Sequence, residues 1–275
     1  MKEPEEPKRA PKMMYSCYAM QNREGEQFMP EHIFAYLLAG TMAIRDDEGR
    51  EYLFRAGEFV FYKRNHLLKY VKQPPADGGD FRAVSIHLDQ EALRSYSMQY
   101  NCKAESWQDT DAVLRPKHDT LCKNFMEALV HYAQISRPGN EDLLCLKQSE
   151  AIMLLLRANP EMKEVLFDFN EPGKIDLEAF MNSNFHFNVE LKRFAYLSGR
   201  SLTTFKRDFE KTFHTTPSRW LQKRRLQEAY YLLKEKGKKS SEVYLEVGFE
   251  DLSHFSFAFK KTFGVAPSVI CTVPD

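Results

Sequence analysis

What this 275-residue sequence lacks narrows its class before any motif is read. It has no long apolar run, and stretches such as Ala151–Leu156 fall far short of the roughly 20 residues a helix needs to cross a bilayer. No membrane role is therefore expected. It has five cysteines (Cys17, Cys102, Cys122, Cys145 and Cys271), odd in number, scattered and never spaced CxxC. That pattern argues against a disulfide framework or a thiolate zinc site, and for a reducing, cytoplasmic setting. There is no HExxH, no GxSxG elbow, no glycine-rich phosphate loop and no pair of carboxylates at a fixed catalytic spacing. No enzyme activity, cofactor or metal site is expected. The opening MKEPEEPKRAPK is charged and proline-rich with no apolar segment behind it, so residues 1–30 read as a flexible tail and lead-in and not as a signal peptide.

The formal net charge is zero, but it is unevenly spread. From Lys174 onward there are 17 Lys and Arg against 12 Asp and Glu, and the preceding part is correspondingly acidic. A basic end on an acidic body hints at a polyanion partner. Between Ile33 and Leu88 the segments IFAYLLAG, TMAIRD, REYLFRAG, EFVFYKR and FRAVSIHL are short, aromatic and β-branched. Turn signals separate them, so residues 31–110 read as a small antiparallel barrel or sandwich. Helical spacing follows across 111–170. Leu121, Phe125 and Leu129 fall on one stripe, and a second helix from Asn140 to Arg157 stops ahead of Pro160. These helices either pack on the strands or form a dimer seam. The turn-like Asp168–Lys174 marks the domain boundary.

Beyond it one short helix is written twice. SLTTFKRDFEKTFHTTPS (201–218) and DLSHFSFAFKKTFGVAPS (251–268) agree at 8 of 18 positions. In the first copy Gly199 ends a preceding helix and Ser201 caps the next. Phe205, Phe209 and Phe213 form the buried stripe, leaving Thr203, Lys206, Arg207 and Glu210 outward. In the second, Ser240 or Ser241 caps a short helix carrying Val243 and Val247, Gly248 turns the chain, and Asp251 caps the helix that follows. Phe255, Phe259 and Phe263 bury, while Ser253, Ser256, Phe257 and Lys260 face out. Each copy has the build of a helix-turn-helix, over 189–213 and 240–263. A connecting helix from Pro217 to near Gly237 would span about 30 Å, close to the roughly 34 Å between successive major-groove entries on one face of B-DNA. The element recurs because the groove does.

The segment EVYLEVGFEDLSHFSFAFKKTFGVAPS (242–268), with Gly248-Phe249, Ser253, Phe255, Phe259-Lys260, Phe263-Gly264 and Pro267, resembles the DNA-binding domain of the AraC/XylS family of bacterial transcription regulators. Arg225-Leu226 and Ala229 of the connector fit the same pattern. The resemblance covers 174–272 and implies an all-α tandem helix-turn-helix that binds double-stranded DNA. Carried over by position, the base-facing residues are Thr203, Lys206 and Arg207, then Leu252, Ser253, Ser256 and Phe257. Ser201, Arg224, Arg225, Lys238, Lys239 and Lys260 are candidates for phosphate contacts, or serve solubility alone. Phe257 either touches a thymine methyl or packs. Where the family keeps a small residue at the helix crossing, this sequence has Ala195 in the first unit but Tyr244 in the second.

The resemblance extends to the N-terminal part, where RAGEFVFYKRNHLLKY looks like the cupin-like arm of such regulators. The HxH pair of a metal-using cupin is absent, since His66 and His87 stand alone. Tyr36, Phe54, Phe61 and Tyr62 line an effector pocket or fill a core. The whole is expected to be a multi-domain α+β chain: a cupin-like barrel, a helical linker or dimerisation region, and the DNA-binding domain. What the resemblance implies is a regulator, more often an activator. RNA polymerase, a small-molecule or protein effector and a second copy of the chain are its implied partners. The alternatives are a protein-interaction module that kept the helix-turn-helix shape without DNA binding, or a cupin-type enzyme fused to a DNA-binding domain.

Overall fold

The computed structural model describes residues 13–18, 23–105, 111–132 and 140–270; the charged tail 1–12 and Cys271 lie outside them. The chain forms two compact units, the first built mainly on 29–170 and the second on 171–270. The first contains strands β1 (Met13–Tyr18), β2 (Arg23–Met29), β3 (His32–Ala39), β4 (Thr41–Asp46), β5 (Glu51–Arg55), β6 (Phe59–Tyr62), β7 (His66–Gln73), β8 (Phe81–Leu88) and β9 (Val113–Leu114). Its helices are α1 (Gln90–Tyr100), α2 (Thr120–Leu129), α3 (Glu141–Ala158) and the one-turn α4 (Lys163–Leu166).

These strands make two antiparallel sheets, in the orders β1-β8-β3-β6-β9 and β2-β7-β4-β5. The barrel expected from the sequence is therefore not closed. Side chains, and not a continuous ladder, join the sheets: Ile33, Leu37, Met42, Ile44, Phe54, Val60 and Leu68 form one cluster. The intervening residues of the central strands turn the other way. Phe34, Tyr36, Phe59, Phe61, Val84, Ile86 and Leu88 pack with Leu93, Phe125, Met126, Ile152 and Leu155 of the helices. With both faces covered, β3 reads as an unbroken apolar run, whereas β4, covered on one face, alternates. The β4–β5 corner is held by buried Asp46, which accepts from the Glu48 and Arg50 amides at 3.0 and 2.8 Å and from the Tyr52 hydroxyl at 3.0 Å.

Two expectations need correction here. Within the expected lead-in, Met13–Tyr18 and Arg23–Met29 are strands; β1 pairs with β8 in register, burying Met13 and Ser16. Leu121 is exposed, because the buried stripe of α2 runs through Cys122, Phe125, Met126 and Leu129. Of the two fates open to the aromatic set, core packing is the one seen: Tyr36, Phe54 and Phe61 are buried in the two clusters, and the half-buried Tyr62 packs beside Met42. No helix among the described residues is long and apolar enough to cross a membrane.

The second unit is all-helical: α5 (Leu177–Asn184), α6 (Leu191–Leu197), α7 (Leu202–Phe213), α8 (Pro217–Lys234), α9 (Ser240–Glu246), α10 (Leu252–Phe263) and α11 (Pro267–Ile270). Helix α8 has 18 residues, hence a length of about 27 Å, with Pro217 at its first position.

Candidate DNA-reading surface

Each helix of the repeated pair is set by a turn that only glycine accommodates. Gly199 follows α6 with φ +67°, and a Cβ there would meet the Gly173 carbonyl at 2.3 Å. Ser201 then caps α7, its hydroxyl accepting from the Thr204 amide at 3.2 Å. Phe205 and Phe209 are fully buried and Phe213 half-buried, and Trp220 of α8 packs on Phe213 with ring centroids 4.7 Å apart. What remains outside is the sector containing Thr203, Lys206 and Arg207, all exposed.

The second copy repeats this with one more residue in the turn. Gly248 has φ +92°, and a Cβ would approach the His186 carbonyl oxygen to 2.6 Å. Phe249, in that longer turn, is buried against Phe255. Asp251 caps α10 by accepting from the His254 amide at 2.7 Å. The expected serine cap of α9 does not form, because that helix begins at Ser240 itself with Lys239 at the cap position. Phe255 and Phe259 are buried. Leu252, Ser253 and Phe257 are exposed and Ser256 half-buried, and Phe257 at 70% exposure does not pack. Ala195 is buried at its helix crossing, whereas Tyr244 lies half-buried beside the cluster of Leu226, Val243 and Phe259.

The candidate phosphate contacts divide. Lys239 and Lys260 are exposed. Lys238 pairs with Glu246 at 2.7 Å, and Arg224 pairs with Glu228 at 3.0 Å while lying over the Phe185 ring. Ser201 spends its hydroxyl on the α7 cap. Arg225 is misplaced by the sequence reading. Its guanidinium donates to the carbonyls of Phe185, Gly248 and Phe187 at 2.8, 2.9 and 2.8 Å. Burial lowers its pKa, and three of its five N–H donors are committed to backbone carbonyls within the fold. It is a tie between the α5–α6 segment and the second turn.

One participant was missed. Asp208, on α7 beside Arg207, accepts from Arg207 Nε and Nη2 at 3.4 and 3.3 Å and from Arg200 Nε at 3.2 Å, with Lys174 Nζ at 3.7 Å. Desolvation opposes its charge, but the Arg200 and Arg207 hydrogen bonds outweigh it and hold the carboxyl below the usual range. Among the described residues no three His, Cys, Asp or Glu side chains are grouped to hold a metal ion.

Comparison with known proteins gives two domain matches: a model described as helix-turn-helix domain over residues 195–271, and one described as ExsA N-terminal regulatory domain over residues 32–166. The HTH-type transcriptional regulator ExsA of Pseudomonas aeruginosa is 25% identical over 242 residues, spanning 84% of this chain and 83% of that one. The HTH-type transcriptional activator RhaS of Klebsiella pneumoniae is 24% identical over 268 residues, spanning 92% and 91%. The virulence regulon transcriptional activator VirF of Yersinia enterocolitica is 33% identical over 92 residues, or 34% of each chain.

Proposed function

Because this chain belongs to the AraC/XylS family and is a DNA-binding transcription regulator, we propose that α7 and α10 enter successive major grooves of one duplex with α8 as the rod between them. The observation that carries this is the repetition itself: two capped 12-residue helices, each backed by a fully buried phenylalanine pair, each leaving the same sector open. Lys206 and Arg207 read guanine, whose O6 and N7 accept two hydrogen bonds from one basic side chain. Thr203, Ser253 and Ser256 supply shorter hydrogen bonds. Leu252 and Phe257 meet thymine methyls. Lys239, Lys260 and Arg224 neutralise phosphates, which fixes the register without reading sequence.

The first unit is the regulatory part. Its match to a regulatory-domain model supports a role in gating by a small molecule or a protein, or in pairing two copies of the chain. The names of the RhaS and VirF relatives support activation; contact with RNA polymerase at a cytoplasmic promoter belongs to the proposal and not to those names. Catalysis has no place in this reading.

The test is a mobility shift on a promoter fragment over a salt series. Each phosphate neutralised adds about 0.9 to the slope of log affinity against log salt, and a partner-only module would give no such dependence. Arg207→Ala should cost about 1–3 kcal/mol and relax specificity at one base position. Equal affinity of wild type and variant for every sequence would remove Arg207 from the reading role.

A further inference from the structure

We propose that Asp208 is a specificity-determining positioning residue: it orients Arg207 for base recognition and is itself fixed from behind by Arg200. The inference rests on the reading role of Arg207. Neighbouring residues on a helix do not face each other, so an unrestrained arginine at 207 would sweep the groove through many rotamers. Instead both Arg207 Nε and Nη2 donate to Asp208 Oδ1. That leaves the Nη1 hydrogens and the outer Nη2 hydrogen free to form a fork toward a base. Pre-ordering a long side chain reduces the freedom lost on binding and penalises any base that is not where the fork points.

The carboxylate is itself fixed. Its Oδ2 takes Arg200 Nε, whose side chain is only 7% exposed. Arg200 Nη1 is committed to the Ser198 and Ile175 carbonyls at 2.7 and 3.0 Å. Lys174 Nζ lies 3.7 Å from the same oxygen. An arginine whose side chain is buried, and whose Nε and Nη1 are both engaged, therefore holds Asp208, and Asp208 holds the exposed reader, which is 65% accessible.

The internal repeat supplies an independent observation. At the 50-residue offset Arg207 corresponds to Phe257, Asp208 to Ala258 and Arg200 to Glu250. Where the reading arginine is gone, the acid beside it and the arginine behind it are gone too. Ala258 is buried in the same helix register, so the fold accepts a small apolar residue there. A carboxylate needed only to build a helix-turn-helix would be present in both copies.

The experiment is a double-mutant cycle on the full chain. Wild type, Asp208→Asn, Arg207→Ala and the double variant are titrated by fluorescence anisotropy against duplexes selected from a random pool, with all four bases in turn at each contacted position. Asp208→Ala, copying residue 258, serves if the asparagine variant does not fold. The expected result is a loss of discrimination of at least about threefold at the Arg207 position in D208N, shrinking to less than about 1.5-fold when Arg207 is already alanine. Unchanged discrimination in folded D208N and D208A, with R207A altering it, overturns the positioning role and leaves Arg207 a reader. An equal loss in both backgrounds, or a uniform change on all sequences, assigns Asp208 a structural role and also overturns the proposal. If R207A itself changes nothing, the reading of Arg207 falls and the inference with it.

Discussion

Replacing Arg225 by methionine removes three hydrogen bonds while keeping most of the side-chain volume. In the native state the guanidinium reaches the carbonyls of Phe185, Phe187 and Gly248 at 2.8–2.9 Å, so all three lose a charged donor together. A hydrogen bond to a charged group contributes about 1.5–3 kcal/mol, but a partly buried guanidinium also pays desolvation, and the three bonds act as one unit. The net loss should be about 3 kcal/mol. The assay is urea unfolding followed by the fluorescence of Trp220, whose ring packs on Phe209 and Phe213 of the same unit. The chain has two tryptophans, so a Trp107→Phe background leaves Trp220 as the sole reporter. With a slope of about 1.5 kcal/mol per molar urea, the midpoint should fall by about 2 M. A shift under about 0.5 M, together with a salt slope for DNA binding reduced by about one, would refute the structural role and return Arg225 to the phosphate contacts.

His32 is buried, its Nδ1 accepting from the Arg64 amide at 3.2 Å and its ring stacked on Phe61; desolvation first, then the charges of Arg64 and Lys63, lower its pKa to about 3. Since the unfolded histidine titrates near 6.5, the folded state binds fewer protons below that pH, and stability present above it is lost as pH falls, by up to about 1.4 kcal/mol per unit. Thermal melts at pH 7, 6 and 5 should show wild type converging on His32→Asn as pH drops; parallel slopes would contradict this. Phe257, exposed on α10, should make wild type bind about fourfold more weakly when one thymine is replaced by uracil, the loss of a single buried methyl, while Phe257→Ser should be indifferent to that change. Equal sensitivity of the two proteins in anisotropy titrations would remove the methyl contact.

The second unit was legible because its local rules agree with one another. Glycine turns, the Ser201 and Asp251 caps and the phenylalanine period each specify the same helices, and the repeat checks one copy against the other. The Arg225 tie and the Asp208 site were not legible. Arg225 meets carbonyls as far as 40 residues away, and Asp208 is held from behind by Arg200, which reaches it across the turn ahead of α7. The first leaves no local pattern because of its distance, and the second none because neighbouring helix residues such as Arg207 and Asp208 are not expected to face each other. In the first unit the central strands were evident from apolar runs, since both their faces are covered. Edge strand β1 carries a mixed, half-exposed sequence whose partner, β8, lies some 70 residues on. Helix α1 was missed because Leu93 and Tyr96 are its only buried residues, too few for a period, although the Asp89 cap was readable.

The central claim is that two helices read one face of one duplex, a full turn apart. Hydroxyl-radical footprinting of the full chain on its selected site tests it most directly. The account predicts two protected windows on the same side of the helix, with centres about 10 base pairs apart. A single window, or two windows out of phase by about half a turn, would contradict it.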